Sequence, residues 1–323
     1  MRRVNIASAE LEDPLDLHGF HHAGLALTEL VGSRRIGASI YGTDVEKPTG
    51  PFHYHHGVEE WVYVIAGAPA LRDHEGQRRL APGDLVCFPT GPAGTHTFHG
   101  PGRYVVFSTG THREPWMSVY PDSGKVGGPE GILLASSAVD YWHGEGTSDP
   151  SSEPEAWVPE PRPRPRCPIV NVHAVGARAE APEPTHPPGF RARRARLGGA
   201  LNAEMLGATL YELDPSEGTA PYHYEQGREE WLLVLAGRPT LRHPGGEDTL
   251  EPGDLVCFPE GPDGAHRVVN RGADASRVLI LSTQEVPVTA HYPDSGKLLI
   301  RDGDDQRYVF RKADTVDYWD GEA

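Results

Sequence analysis

The sequence predicts an all-β protein built from two tandem copies of one small barrel or sandwich domain. Three observations lead to this prediction. Long stretches recur at a fixed offset of 170 residues, the apolar segments are short and rich in β-branched and aromatic residues, and Gly and Pro supply 38 and 31 of the 323 residues. Short strands separated by Gly/Pro turns are typical of sandwiches and small barrels, and the same composition disfavours long helices.

The internal repeat is extensive. The segment EEWVYVIAGAPALR, from Glu59, returns as EEWLLVLAGRPTLR from Glu229, and LAPGDLVCFPTGPAGTH, from Leu80, returns as LEPGDLVCFPEGPDGAH from Leu250. YPDSGK and VDYW also occur once in each half. Each copy is about as long as a domain, so the pattern indicates a duplicated domain and not a solenoid of short repeats.

A segment rich in Pro, Ser and Glu separates the copies. Each proline fixes φ and removes a backbone donor, which disfavours a packed helix or a central strand there. We therefore predict a first domain at 1–149, a linker at 150–166 and a second domain at 167–323. The second domain would begin with the apolar strand PIVNVHAV.

Charge and composition exclude several classes of partner. The formal net charge is −16, which would repel a nucleic-acid backbone. The basic run RARRARLGG (191–199) is short, and we interpret it as a solvated loop or strand edge. The chain has neither an apolar signal core at its start nor an 18-residue apolar run. We expect neither nucleic-acid nor membrane partners.

Three cysteines, Cys87, Cys167 and Cys257, match no zinc-ribbon spacing. Cys87 and Cys257 occupy equivalent LVCFP segments, and we expect them to be small buried residues. Free thiols fit a reducing compartment, so the predicted location is the cytoplasm.

The first copy contains a spacing that is typical of a metal site. His53 and His55 are two residues apart on a predicted strand and therefore face the same side. Glu60 begins the next strand after a glycine turn, and His96 follows a further strand. These four side chains can converge on one point, and imidazole and carboxylate ligands suit Fe, Mn or Zn. By the same alternation His56 and Glu59 should face away, toward solvent or behind the site.

The second copy repeats this set with one change. Its equivalent residues are His223, Glu225, Glu230 and His266, so Glu225 replaces His55. With a divalent ion, the first set would carry a charge of about +1 and the second about zero. We therefore place the reactive centre in the first copy. The second site would bind a less Lewis-acidic metal, play a structural part or be empty.

These motifs resemble those of the cupin superfamily. The first cupin motif is Gly, five residues, His-x-His, three or four residues, Glu, six residues and Gly; the second is Gly, five residues, Pro-x-Gly, a short gap, His, three residues and Asn. The matching residues of the first copy are His53, His55, Glu60, Gly67, Gly83, Pro89, Gly91 and His96. The leading Gly is displaced to Gly50, and Gly100 stands in place of the closing Asn, which the second copy retains as Asn270.

The resemblance implies a bicupin, that is, two tandem jelly-roll (double-stranded β-helix) barrels joined by the linker. It also implies a divalent metal ion (Fe, Mn or Zn) and a monomer or homodimer. The leading hypothesis is a metal-dependent enzyme acting on a small polar metabolite, with non-haem iron oxygenase or dioxygenase chemistry at the first site. A redox-silent Zn/Mn isomerase, cyclase or rearrangement enzyme is one alternative. A non-catalytic ligand-binding or metal-stabilised module is another. The sequence shows no arginine clamp at motif spacing and assigns no catalytic residue beyond the metal ligands.

Overall fold

The computed structural model describes residues 1–12, 14–112, 117–139, 166–175, 181, 185–303 and 306–322. Most of the predicted linker and most of the first VDYW segment lie outside these ranges, so the domain boundaries stay a prediction. Strands are the dominant regular structure of the described residues. Two single-turn α-helices occur, α1 (Thr28–Val31) and α2 (Val172–Val175). None of the helices within these ranges has the length and apolar character needed to cross a bilayer.

Strands β1–β14 occupy the first half of the chain. Their bounds are Arg3–Asn5, Leu15–Leu17, Phe20–Ala26, Gly37–Thr43, Tyr54–His56, Glu60–Gly67, Ala70–Asp73, Gly76–Arg79, Asp84–Phe88, Thr97–His99, Gly102–Ser108, Met117–Tyr120, Lys125–Gly128 and Gly131–Leu134.

Strands β15–β27 occupy the second half. Their bounds are Ile169–Asn171, Arg193–Arg196, Leu206–Leu213, Tyr224–Gln226, Glu230–Ala236, Thr240–His243, Gly246–Thr249, Asp254–Phe258, Arg267–Val269, Ser276–Thr283, Val288–Tyr292, Lys297–Arg301 and Arg307–Arg311. Single 3-10 turns connect some of the strands in each half, at Pro92–Gly94, Thr109–His112, Ala135–Ser137, Pro262–Gly264 and Lys312–Asp314.

The strands form two jelly-roll barrels with the same topology, as the sequence predicts. The first contains sheets of order β15-β9-β6-β11-β4-β3-β2, β10-β7-β8 and β14-β13-β12-β5. The second contains β1-β22-β19-β24-β17-β16, β21-β20-β23 and β18-β25-β26-β27. The strands of each barrel pair in antiparallel fashion, for example β6 with β9 and β19 with β22.

Each barrel has its own core, and a third core joins the two barrels. On β6, Val62 and Val64 pack inside the first barrel, whereas Trp61 and Tyr63 belong to a cluster that includes residues of both halves. In this shared cluster Phe107 meets the fully buried Trp231 edge to face, with ring centroids 5.8 Å apart. Successive side chains of β6 therefore point alternately into the interior of their own barrel and toward the neighbouring barrel.

Each barrel also receives one edge strand from the other half of the chain. The N-terminal β1 pairs with β22 of the second barrel, and β15, which the sequence places at the start of the second domain, pairs with β9 of the first. An asparagine anchors each strand: Asn5 Nδ2 donates to Asp254 Oδ1 (3.0 Å) and Asn171 Nδ2 donates to Asp84 Oδ1 (2.8 Å). The two halves therefore complete each other's sheets.

Two buried glutamates reinforce this contact. Glu59 accepts hydrogen bonds from Trp61 Nε1 (2.9 Å) and from the backbone amides of residues 204–206 in the second half, at 2.8–3.2 Å. Glu229 reciprocally accepts from Trp231 Nε1 (3.1 Å), Ser33 Oγ (2.5 Å) and the amides of residues 34–36, at 2.7–3.3 Å.

The position of Glu59 corrects one expectation. The side chain does face away from the metal set, as alternation predicts, but it is only 1% exposed and Glu229 is fully buried. A buried carboxylate is stable only when donors replace its water shell, and here the donors come from the opposite barrel. The two glutamates therefore act as an inter-barrel clasp.

We expect Glu59→Gln to lower the stability of the whole chain, because an amide side chain would turn an NH₂ group toward donors that need an acceptor. The loss should be about 3 kcal/mol, or a fall of roughly 5–10 °C in melting temperature for a protein of this size. Differential scanning calorimetry measures it. Glu204→Gln is the matched control, because residue 204 is exposed and its backbone amide is one of the three donors to Glu59. Equal melting temperatures for the two variants would contradict the clasp.

Candidate metal centres

The first candidate centre is built where two short backbone segments meet. His53 and His96 form an antiparallel bridge in which each amide donates to the other's carbonyl, at 3.1 and 2.9 Å. Residues paired in this way project to the same face. The ring centroids of His53 and His96 lie 4.9 Å apart, and the ring centroid of His55 lies 4.9 Å from that of His53.

Glu60 completes this cluster from the start of β6. Its Oε2 lies 3.2 Å from His55 Nε2 and 3.7 Å from His96 Nε2. Ligand atoms of His53, His55 and Glu60 all lie within 4.8 Å of one another, so one ion could reach them. The structure thus groups three of the four residues that the sequence selects for the first site, and places His96 beside Glu60 although it is not a member of that group.

Hydrogen bonds orient the imidazoles for metal binding. His53 Nδ1 lies 2.9 Å from the Pro51 carbonyl, and His96 Nδ1 lies 2.8 Å from the Gly94 carbonyl. A carbonyl can only accept, so Nδ1 carries the proton and Nε2 keeps its lone pair toward the cluster. The Nδ1 of His55 bonds to Ser118 Oγ at 2.8 Å. This donor arrangement fits a divalent ion.

The electrostatics of the first centre favour neutral His53 and His96 beside one ionised carboxylate, whereas the hydrogen bond and charge of Glu60 outweigh burial and raise the pKa of His55. Burial lowers the pKa of His96 to about 3, and the charge of His53 adds to this effect. Burial alone would raise the pKa of Glu60, but the His55 hydrogen bond and the charges of the histidines hold it at about 2. Metals bind these protonation states, neutral imidazole and carboxylate.

The second centre repeats the geometry with three residues. His223 and His266 form the equivalent backbone bridge, with ring centroids 4.6 Å apart. Glu230 Oε2 lies 4.0 Å from His223 Nε2 and 3.4 Å from His266 Nε2. Both histidines direct Nδ1 to a backbone carbonyl at 2.9 Å. These three residues could hold an ion, since their ligand atoms lie within 4.8 Å of one another.

Glu225 does not join this three-residue set. Its Oε2 lies 3.5 Å from Nε of Arg228, a residue whose equivalent in the first copy is Val58. Burial raises the pKa of Glu225 to about 7, with a further contribution from Glu230. The partner across the sheet has changed too, since Glu225 pairs with Ala290 where His55 pairs with Ser118. Whether Glu225 ligates a metal stays a prediction.

The repeated YPDSGK segment braces both centres. Tyr120 stacks on His53 with centroids 5.9 Å apart, and Tyr292 stacks on His223 at 5.8 Å. The aspartate of each segment forms a two-bond salt bridge to an arginine of the three-stranded sheet, Asp122 with Arg72 and Asp294 with Arg242, at 2.6–3.0 Å. The segment therefore positions a ligand-type histidine in each barrel.

The cavities above the two centres differ. The first has a volume of about 210 Å³ and a wall that includes His22, Tyr41, Phe98 and Tyr104, with Glu60 as its one carboxylate among the described lining residues. The second has a volume of about 460 Å³. Its wall contains five arginines, Arg194, Arg196, Arg228, Arg301 and Arg307.

Sequence reasoning missed these arginines, because they come from separate segments and no motif spacing links them. Two of them belong to the basic run at 191–199, which faces this cavity instead of bulk solvent alone. Comparison of the two copies at the offset of 170 would have identified three, since Gly24, Ala26 and Val58 stand in their places.

A family model and several solved structures are similar to parts of this chain. A family model described as "Cupin domain" matches residues 43–109 and 209–282. A sugar phosphate isomerase from the cupin superfamily of Silicibacter pomeroyi is 26% identical and covers 44% of this chain and 94% of its own, with a TM-score of 0.39. Oxalate decarboxylase from Bacillus subtilis is 16% identical and covers 87% of this chain and 75% of its own, with a TM-score of 0.49. No curated protein matches.

The two matched regions coincide with the two barrels, and each contains a candidate metal centre. The Gly, His-x-His, Glu and Pro-x-Gly positions read from the sequence lie within them or at their edges. The chain belongs to the cupin superfamily and is a bicupin.

Proposed function

We propose that the protein is a metal-dependent enzyme with non-haem iron oxygenase or dioxygenase chemistry at the first cupin centre and a small polar metabolite as substrate. One observation carries the proposal. His53, His55 and Glu60 have ligand atoms within 4.8 Å of one another, and His96, whose Nε2 lies 3.7 Å from Glu60 Oε2, lines the same cavity as His53 and Glu60. A bound iron would leave positions for substrate and dioxygen and would supply the redox chemistry.

The residues around the centre position it and exclude water. Phe88 stacks on His96 with centroids 3.7 Å apart and a 14° angle, which fixes the ring plane. Tyr41, Phe98, Tyr104 and Val106 form a largely apolar wall. Such a wall strengthens electrostatic interactions inside the cavity and limits side reactions with water.

Apart from His22, the described wall of this cavity offers no base outside the metal set, which favours metal-centred redox chemistry over proton transfer. Burial raises the pKa of both Tyr41 and Tyr104, so these phenols stay protonated and cannot act as bases. Tyr104 also shares a hydrogen bond with Thr49, at 2.8 Å.

His22 is the observation that favours the second candidate, a redox-silent Zn/Mn isomerase, cyclase or rearrangement enzyme. Its Nδ1 lies 2.7 Å from the Thr49 carbonyl, so Nε2 keeps a lone pair. The side chain lines the first cavity and packs edge-on against Tyr41, with centroids 5.1 Å apart. Such an imidazole is a candidate general base.

The proposal keeps the cytoplasm as location and a small molecule as partner. All three cysteines are free and buried, and burial raises the pKa of each thiol, which keeps it unreactive. Free thiols suit a reducing compartment. A monomer or a homodimer is compatible with the proposal.

Metal analysis tests the first centre. We expect the double variant His53→Ala/His55→Ala to lose one equivalent of metal per chain relative to the wild type, because the two removed imidazoles are half of the ligand set. Plasma mass spectrometry on purified protein measures the stoichiometry. His18→Ala, which removes an exposed histidine elsewhere in the same barrel, should keep the wild-type value. Unchanged stoichiometry in the double variant would refute a metal at this centre.

The same measurement tests Glu225. We expect Glu225→Gln to keep the metal stoichiometry of the wild type, since Arg228 holds the carboxylate outside the three-residue set. Glu230→Gln is the matched control, because it makes the identical chemical change within the set and should reduce occupancy of the second centre. Loss of one equivalent in Glu225→Gln would instead identify this carboxylate as a ligand.

Oxygen uptake separates the two candidate reactions. We expect uptake on a panel of small polar metabolites with protein reconstituted with Fe(II), and none with Zn(II). His22→Gln should retain uptake within about threefold, whereas removal of a general base costs about 10²–10⁴-fold. Turnover by the zinc form without oxygen uptake, abolished in His22→Gln, would support the isomerase reading and overturn the oxygenase. No turnover with either metal would favour a binding module.

A further inference from the structure

The second barrel encloses an arginine-rich cavity that the proposed reaction at the first centre does not use. Its volume of about 460 Å³ falls within the range of small-molecule sites, on the order of 300–1,000 Å³. The floor contains His223, Glu230 and His266, and the five arginines named above form part of the wall.

These arginines converge from three separate elements. Arg194 and Arg196 are two residues apart on β16 and therefore share one face of the sheet. Arg301 and Arg307 are paired opposite each other at the end of the β26–β27 hairpin. Arg228 lies in the short connection between β18 and β19. Convergence of cations from unconnected segments concentrates positive charge on one volume.

The positive charge is a property of the second copy alone. The residues equivalent to Arg194, Arg196 and Arg228 are Gly24, Ala26 and Val58. Arg301 and Arg307 are the paired residues nearest the turn of the β26–β27 hairpin. In the corresponding β13–β14 hairpin of the first barrel, the paired residues nearest the turn are Gly128 and Gly131. The scaffold therefore does not require arginine at any of these five places. A role in ligand binding would account for arginine at these places.

The carboxylates of the cavity do not balance these cations. Glu225 and Glu230 are the acidic residues among the described lining residues, against five guanidinium groups, in a chain of net charge −16. Within the described part of the chain, Arg196 and Arg307 form no salt bridge. Like charges that line one volume repel one another, and a bound anion would relieve that repulsion.

Arg228 gives an independent indication of a missing anion. It is only 7% exposed, its Nε has no hydrogen-bond acceptor among the described residues, and its nearest carboxylate oxygen is Glu225 Oε2 at 3.5 Å. A buried guanidinium normally has its donors satisfied, since each unsatisfied donor is costly. Arg228 faces the cavity, so a bound ligand could supply the acceptor.

From these observations we propose that the second barrel binds a small organic dianion, a phosphate monoester or a dicarboxylate, through this arginine cluster. Guanidinium groups form paired hydrogen bonds with both kinds of anion, which is the chemistry the two share. Thr209, Thr219 and Ser282 also line the cavity and offer hydroxyl groups to the uncharged part of the ligand. The site is separate from the first centre.

Isothermal titration calorimetry on the full chain, at matched metal content, tests the proposal. The probes are inorganic phosphate, succinate and, as a neutral control, sorbitol. We expect at least one of the two anions to bind, with Arg196→Gln and Arg307→Gln each weakening it about tenfold. Tighter phosphate binding would assign the site to phosphate esters, and tighter succinate binding to dicarboxylates.

Two controls make the result specific. Arg193→Gln removes the same charge from the same strand, but this side chain pairs with Glu212 and Asp214, so anion affinity should stay within about twofold of wild type. His53→Ala/His55→Ala should bind the anion normally, which separates this site from the proposed function of the first centre. Equal affinity in the wild type, Arg196→Gln and Arg307→Gln, or no anion binding beyond that of sorbitol, would overturn the proposal.

Discussion

The reciprocal contact between the barrels is the constraint on which the rest of the structure depends. Glu59 and Glu229 each bring a buried carboxylate to the backbone of the other barrel, and each is followed at once by a metal-set glutamate, Glu60 or Glu230. Successive residues of a strand point in opposite directions. When Glu59 or Glu229 is held toward the other barrel, the next glutamate, Glu60 or Glu230, must therefore point into its own barrel. The Glu-Glu-Trp entry of each strand therefore couples the inter-barrel contact to the geometry of the metal centre.

The duplication preserved this framework while the chemistry of the two cavities diverged. The backbone histidine bridge, the aromatic ring stacked on its second histidine and the tyrosine stacked on its first histidine occur in both barrels. Around His55, however, three things change together: the histidine becomes Glu225, its partner Ser118 becomes Ala290, and Val58 becomes the cation Arg228. Random loss would not supply a cation beside the new carboxylate. The second centre is an altered site and not a decayed copy.

The fold and the first centre could be predicted from sequence because their signals are local and repeated. Strand alternation, glycine turns and the spacing of His53, His55, Glu60 and His96 are properties of short segments, and the second copy reproduces them. The remaining features depend on contacts between distant segments. Strand alternation predicts the direction in which Glu59 points, but it does not predict that the neighbouring barrel buries this side chain. Likewise, the sequence of the PIVNVHAV strand does not indicate that it pairs with the first sheet. The arginine cluster was missed for the same reason, since β16 and the β26–β27 hairpin meet only in the folded barrel.

The arginines also change the electrostatic comparison of the two centres. Counting ligands alone, replacement of His55 by Glu225 lowers the charge of a divalent site from about +1 to about zero. Arg228, 3.5 Å from Glu225, compensates that carboxylate and returns the local sum to about +1. Four further guanidinium groups line the same cavity, so the second centre lies in the more positive environment. The lower Lewis acidity expected in the second copy from its ligands alone stays a prediction, and the cations around that centre act against it. Glu225 alone would weaken the attraction between a bound metal and an anion, but it lies in a cavity whose wall contains more cations than carboxylates. The first cavity has a largely apolar wall and therefore fewer charged groups.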